Sequence, residues 1–137
     1  MKKKASLELI APEVGTSIMV KQFLESCDLK NNSYWHFHPE LELVYVKGGN
    51  GKRHIGNHLS CYSDGDLVFI GSNLPHHGFT DRLTGNESET IVQMKSDFLG
   101  NDFFNMPESK EIALLFERAK FGISFNGHAK YEIGQKI

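Results

Sequence analysis

Cysteine is scarce in this sequence of 137 residues, which contains only Cys27 and Cys61. Small secreted domains that depend on disulfide bonds are usually much richer in cysteine. A disulfide scaffold is therefore not expected, and the reducing cytoplasm is the expected location. Both thiols lie in strand-like surroundings, so we interpret them as small buried hydrophobic residues.

The sequence also lacks an excess of positive charge. Its 15 Lys and Arg residues are balanced by 17 Asp and Glu residues, and the formal net charge is −2. Because contact with phosphates requires a basic face, this chain is not expected to hold nucleic acid by itself. The one basic cluster, Lys2 to Lys4, is interpreted as a solvated terminus.

No apolar run is long enough to cross a membrane. The segment that follows the lysines is interrupted by Ser6 and Glu8, and it is too short and too polar for a signal peptide or a membrane span. A hydrophobic content of 39% is ordinary for a globular protein, and 137 residues suffice for one core. We expect a single domain without a membrane partner.

The most informative stretch is residues 34–46, which predicts two strands that meet at Pro39. His36 and His38 are two positions apart, so their side chains point to the same face. Glu42 follows four positions after His38 and heads the second strand, which is apolar on both faces and is therefore expected to be central. Two imidazoles and a carboxylate that converge are typical of a metal site, and also of a buried hydrogen-bonded network.

Short apolar segments separated by turn residues recur up to residue 95. The cluster Gly48 to Gly51 predicts a turn before a return strand, and Gly56-Asn57 predicts a hairpin. Residues 71–75 are predicted to form a loop that leads to His76. The predicted strands are 17–27, two within 34–46, 52–55, 59–62, 67–70 and 89–95. This pattern predicts a mainly β protein, a sandwich or a barrel.

Helical patterns begin after residue 95. A short helix is predicted over residues 97–104, and Pro107 suits the first turn of a second helix. Residues 121–125 predict one more extended piece, and residues 130–137 have helical character. The second helix carries an apolar stripe that we expect to pack on the strands: Ile112, Leu115, Phe116 and Ala119.

These residues resemble the motifs of the cupin superfamily. The first motif, a His-x-His pair followed by Glu and Gly, is matched by His36, His38, Glu42 and Gly49. The second motif is matched by Gly65-Asp66, the apolar strand 67–70 and Pro75-His76. It departs from the enzyme pattern at three positions, where Gly71, Asn73 and Thr80 stand in place of Pro, Gly and Asn.

A narrower resemblance is to the sensing domain of AraC-type transcriptional regulators. It is carried by residues 35–43, 65–70 and 73–76, and by tail motifs at residues 98–100, 103–104, 107–108, 114–115 and 122–125. The resemblance implies a cupin-type double-stranded β-helix (jelly-roll barrel) with two or three C-terminal helices. Residues 1–127 would form the effector-binding domain with its N-terminal arm and packed helices. Residues 128–137 would begin a linker or dimerisation helix, and the DNA-binding domain would be absent from this chain.

That resemblance implies a non-catalytic domain that binds a small effector such as a sugar or an organic acid. It also implies a homodimer that contacts DNA only through the C-terminal domain. An arm over residues 7–12 could fold over the pocket. The candidate ligand-binding residues are His36, His38, Glu42, His76, Tyr34, Arg53 and Gln93, with Phe79 close to them.

The alternative is a metal-dependent cupin enzyme of the dioxygenase or isomerase type. Its ligands would be His36, His38, Glu42 and His76, which could bind Zn, Ni, Mn or Fe. A paired network of the same histidines and Glu42 without a metal is the competing interpretation. The sequence leaves these alternatives open.

Overall fold

The computed structural model describes residues 4–24, 34–77 and 87–137. Cys27, Phe79 and Thr80 lie outside these residues, and so do the first lysines of the basic cluster. Cys61 is exposed, so its interpretation as a buried residue is wrong. The strands are β1 (Ser6–Leu7), β2 (Ile18–Leu24), β3 (Trp35–Phe37), β4 (Leu41–Lys47), β5 (Asn50–Ile55), β6 (His58–Ser63), β7 (Asp66–Ile70), β8 (His76–His77), β9 (Ser88–Met94) and β10 (Ile123–Ser124). The helices are α1 (Lys110–Ala119) and α2 (His128–Gly134). The protein is mainly β, as the sequence predicts.

The strands form two five-stranded sheets. Sheet A has the order β1-β3-β8-β5-β6, and sheet B has the order β10-β7-β4-β9-β2. Neighbouring strands are antiparallel except β1 and β3, which run parallel. Side chains from both sheets pack together in one buried apolar cluster: Val44, Val46, Ile55, Tyr62, Val68 and Ile70. The two sheets therefore share a core.

Strand β4 is central, as its two apolar faces predict. It lies between β7 and β9, and alternate residues point in opposite directions. Val44 and Val46 point to the shared core, whereas Leu41 and Leu43 point to the other face of sheet B. Fully burying each aliphatic side chain of this kind contributes about 1.5–3 kcal/mol to folding.

The glycine cluster after β4 carries the chain from sheet B to sheet A. The return strand, β5, pairs with β6 and β8 and not with β4, so the predicted turn does not close a local hairpin. Gly65, in the turn between β6 and β7, packs against the end of β4: its φ is +79°, and a Cβ there would overlap the Val46 carbonyl oxygen. The Gly56-Asn57 hairpin between β5 and β6 is confirmed.

Helix α1 covers the outer face of sheet B. Phe116 and Ala119 pack on this face together with Leu41, Phe69 and Met94. The rest of the predicted stripe is more open, since Ile112 is 40% exposed and Leu115 is 36% exposed.

The predicted helix over residues 97–104 does not form. The segment contains turns and a single 3₁₀ turn over Phe103–Asn105. Gly100 interrupts it with a φ of +89°, which a right-handed helix does not accommodate.

Helix α2 also packs on sheet B. It begins at His128, two residues before the segment of helical character predicted over residues 130–137. Lys130 donates hydrogen bonds to the carbonyls of Ser63, Asp64 and Gly65. A Cβ added at Gly134 would overlap the Tyr45 ring. No helix in the described part of the chain is long and apolar enough to cross a membrane.

Gly71 follows β7 and contacts the last residue of α1, Ala119. Its substitution tests how closely α1 packs against the end of β7. Its N–H donates to the Ala119 carbonyl, and a Cβ would lie 2.6 Å from that oxygen. Because the obstacle is backbone, we expect Gly71→Ala to lower the free energy of unfolding by about 1–3 kcal/mol. Urea denaturation measures this loss. The exposed α1 variant Glu111→Ala should stay within about 0.5 kcal/mol of the wild type, and equal stability of both variants would contradict the close contact.

Candidate functional site

Four buried polar residues meet on the inner side of the sheets, and we call them the polar centre: His36, His38, Glu42 and His76. Each is at most 6% exposed. His36 lies in β3 opposite His76 in β8, and Glu42 lies at the start of β4. The structure thus brings together all four residues that the sequence predicts as metal ligands.

The three imidazole rings are oriented in the same way. Each Nδ1 atom lies against the carbonyl oxygen of a residue two positions away: His36 with Tyr34 at 2.8 Å, His38 with Glu40 at 3.1 Å, and His76 with Leu74 at 2.8 Å. Since a carbonyl oxygen can only accept a hydrogen bond, each Nδ1 carries the proton. The Nε2 atom of each neutral ring is then left as an acceptor or a ligand.

The rings also converge. One ring nitrogen from each of the three histidines lies within 4.8 Å of the other two. The centroid of His76 lies 4.3 Å from that of His36 and 5.1 Å from that of His38. Metal-binding histidines commonly donate their other ring N–H to a carbonyl or a carboxylate, which is the arrangement seen here.

Glu42 connects two of the histidines. Its Oε2 lies 2.9 Å from His38 Nε2 and accepts a hydrogen bond from Gln93 Nε2 at 2.8 Å, while its Oε1 lies 3.5 Å from His76 Nε2. Burial alone would raise the pKa of Glu42, but His38 and His76 hold it well below its ordinary value. Glu42 is therefore a carboxylate that requires positive charge beside it.

The pKa values of His36 and His38 shift in opposite directions in this environment. Burial lowers the pKa of His36, although the hydrogen bond to the Tyr34 carbonyl opposes the change. Burial also acts to lower the pKa of His38, but the hydrogen bond and charge of Glu42 outweigh it and raise the pKa. In the absence of a metal, His38 is thus the ring that can carry the balancing proton for Glu42.

Glu8 is a site residue that the sequence did not reveal. Its Oε2 lies 3.6 Å from His36 Nε2, and its Oε1 accepts a hydrogen bond from the Tyr34 hydroxyl at 2.9 Å. Burial raises the pKa of Tyr34 to about 12, helped by its hydrogen bond to Glu8 and by the charge of Glu8. The N-terminal arm therefore reaches the polar centre. The sequence feature that could have identified Glu8 is a charged residue within a mostly apolar segment.

Two buried atoms at the centre have no hydrogen-bond partner among residues 4–24, 34–77 and 87–137: His76 Nε2 and Gln93 Oε1. An acceptor nitrogen beside a carboxylate is repelled unless a proton or a cation lies between them. The three oriented rings and this orphaned nitrogen are donors of the kind that a divalent transition metal would accept.

Arg53 lies apart from the polar centre. Its Nη1 contacts Asp66 Oδ1, and its Nε donates to Ser60 Oγ at 2.8 Å. Asp66 is 2% exposed and pairs with Val46, at the other end of β4 from Glu42. Arg53 also lines a separate cavity of about 310 Å³ with His58 and Phe121. Of the seven predicted site residues, Arg53 is the one that the structure does not bring to the others.

A larger cavity of about 660 Å³ lies on the outer face of sheet B. It is bounded by Leu41, Ser72, Phe104, Phe116 and Lys120. Leu41 and Glu42 are neighbours in β4 and point to opposite faces, so this cavity and the polar centre are on opposite sides of one sheet.

Comparison with solved structures found a protein whose fold is similar to that of this chain. The chain is similar in structure to ToxT from Vibrio cholerae O395, with a TM-score of 0.51 over 88% of this chain. The sequences are 12% identical, so the likeness concerns the fold alone. No protein-family model matches the chain, and no curated protein is similar to it in sequence.

The chain corresponds to less than half of that neighbour, since the match covers 47% of the ToxT chain. ToxT, an AraC-family regulator, was crystallised with (E)-4-(8-methylnaphthalen-1-yl)but-3-enoic acid. The fold of this chain therefore occurs in a regulator that binds a small molecule.

Proposed function

We propose that this chain is the effector-sensing domain of an AraC-type transcription regulator. It would be a cupin-type double-stranded β-helix that binds a small polar molecule between its sheets. The observation that carries the proposal is the polar centre, four buried titratable residues beside an apolar core. Similarity to the fold of ToxT, an AraC-family regulator, supports it.

The chemistry of the centre suits a sugar or an organic acid. Small-molecule sites are mainly apolar and contain a few convergent polar groups. His36, His38 and His76 offer ring nitrogens, and Glu42 accepts hydrogen bonds. Gln93 offers its Oε1, which has no hydrogen-bond partner within the described segments. A hydroxyl group of an effector could pair with the atoms that lack a partner. Tyr34 and Glu8 border the same centre and would contact the effector from the arm side.

The remaining parts of the proposal concern the whole regulator. The full protein would form a homodimer in the cytoplasm, and α2 would begin the helix that links to a DNA-binding domain beyond this chain. The formal charge of −2 agrees with DNA contact through another domain. Analytical ultracentrifugation of this chain tests whether it dimerises by itself.

Effector binding gives the direct test. We expect a panel of sugars and small organic acids to contain a compound that raises the melting temperature, since a ligand at 100 times its Kd adds about 2.7 kcal/mol. Titration calorimetry then measures the Kd. Gln93→Leu should weaken binding by about tenfold or more, because it removes one hydrogen-bonding group from the site.

Gln22→Leu serves as the matched control, because its side chain lies in β2 at the edge of sheet B, away from Glu42. Equal loss of affinity in both variants would show that the compound does not bind at the polar centre.

A second candidate function is a metal-dependent cupin enzyme of the dioxygenase or isomerase type. The observation that favours it is the orientation of the three rings, with every Nδ1 held by a carbonyl and the Nε2 atom left as the ligand. His36, His38, Glu42 and His76 would hold Zn, Ni, Mn or Fe. Such an ion would act as a Lewis acid toward an oxygen of the substrate. Metal analysis of purified protein, followed by turnover assays with and without a chelator, tests this candidate.

A further inference from the structure

Backbone hydrogen bonds hold the N-terminal segment beside the polar centre. β1 pairs with β3 in parallel, with Ser6 opposite His36, and the Glu8 N–H donates to the Phe37 carbonyl at 2.9 Å. This register places the Glu8 carboxylate at His36 and at the Tyr34 hydroxyl.

Two carboxylates approach Nε2 atoms of the rings, and a third, that of Glu40, lies 3.9 Å from the Nδ1 atom of His38. Glu8 approaches His36, whereas Glu42 approaches His38 and His76. Glu42 is 4% exposed and the Glu8 side chain is 27% exposed, so with neutral imidazoles the cost of uncompensated charge falls mainly on Glu42. Uncompensated charge in such surroundings is costly, and one divalent cation would neutralise both carboxylates.

We infer that Glu8 is an additional protein ligand of a divalent metal ion held by the polar centre. This inference rests on the metal-binding candidate described above, and it adds a residue that lies outside both histidine motifs. The three ring nitrogens lie within 4.8 Å of one another, and the two carboxylates would join this group from beside it. Three imidazole nitrogens and two carboxylate oxygens suit the borderline and harder ions Zn²⁺, Ni²⁺, Mn²⁺ and Fe²⁺. The ion would then tie residues 4–9 to β3.

The hydroxyl of Tyr34 positions this ligand. It donates to Glu8 Oε1, which leaves Oε2 directed at His36. Outer partners of this kind orient a metal ligand, and their removal typically costs about 10–100-fold in metal affinity. Tyr34 is therefore a positioning residue, and Tyr34→Phe should weaken binding less than the loss of the carboxylate.

Zn²⁺ binding to four proteins tests the inference. The chain is purified in the presence of a chelator and titrated with Zn²⁺ in competition with a chelating dye. Glu8→Gln keeps the size of the side chain and removes its charge, and we expect it to raise the Kd about tenfold or more. Glu13→Gln makes the same change at an exposed position in the same segment and should leave the Kd unaltered. Tyr34→Phe should give an intermediate value.

A second readout follows the segment itself. If Glu8 binds the ion, Zn²⁺ will slow tryptic cleavage after Lys4 in the wild type and in Glu13→Gln, but not in Glu8→Gln. Tight Zn²⁺ binding with equal Kd values for the wild type and Glu8→Gln would overturn the role of Glu8 and leave the four-residue metal centre intact. Absence of Zn²⁺ binding by the wild type would overturn both, whereas the effector-sensing proposal would still be judged by the effector panel.

Discussion

Replacing His76 by alanine is expected to weaken Zn²⁺ binding by more than about 100-fold. Loss of an outer partner already costs about 10–100-fold, and His76 would be a direct ligand. Its Nε2 is buried, lacks a hydrogen-bond partner among the described residues and lies 3.5 Å from Glu42 Oε1. Alanine has no ligand atom that could replace the nitrogen. Competition titration with a chelating dye measures the change.

The neighbouring residue provides the control for this experiment. His77 points to the other side of sheet A, where its ring lies 5.2 Å from Trp35 and 5.6 Å from His54. His77→Ala should therefore keep the affinity of the wild type. Because Nε2 must be unprotonated to bind a metal, affinity should also fall as the pH drops and the imidazole rings take up protons. Equal Kd values for the His76 and His77 variants would exclude His76 as a ligand.

Arg53→Met is expected to lower the free energy of unfolding by about 3–5 kcal/mol at pH 7, because it leaves a buried carboxylate without its partner. Asp66 is 2% exposed, and its Oδ2 already lacks a hydrogen-bond partner within the described residues. Burial raises the pKa of Asp66, and Arg53 opposes that rise. In the variant the pKa should rise further, so the loss should shrink as the pH falls and Asp66 takes up a proton. Urea denaturation at several pH values measures this dependence.

Two further variants separate charge from packing. Lys52→Met changes the exposed residue next to Arg53 on the opposite face of β5 and should stay within about 0.5 kcal/mol of the wild type. The double variant Arg53→Met with Asp66→Leu should regain most of the stability, since apolar residues can replace a buried ion pair. A loss in Arg53→Met that does not change with pH would contradict the unpaired charge as its cause.

The polar centre was largely predictable from local periodicity. His36 and His38 share a face because they are two apart on an extended segment, and the two apolar faces of β4 identified a central strand with Glu42 pointing to the core. The mainly β fold followed from the regular spacing of short strands and turns. The four residues of the centre converge as expected.

Long-range pairing accounts for what the sequence did not reveal. Glu8 reaches His36 through a parallel pairing of β1 with β3, and nothing in residues 5–11 indicates that register. Strand alternation predicts which face of β5 carries Arg53. Its pairing with Asp66 depends on how the chain passes from one sheet to the other, which local sequence does not indicate. Likewise, the glycines after β4 predict a turn without indicating that β5 joins the other sheet.

The bonds from three ring nitrogens to backbone carbonyls have a consequence for the thermodynamics of binding. Each bond restricts the rotamer of its histidine, so the conformational entropy of orienting the rings is lost when the chain folds and not when a ligand arrives. A metal or effector at the proposed site would then meet rigid side chains and would bind without the cost of ordering them, about 0.5–1.5 kcal/mol for each flexible group.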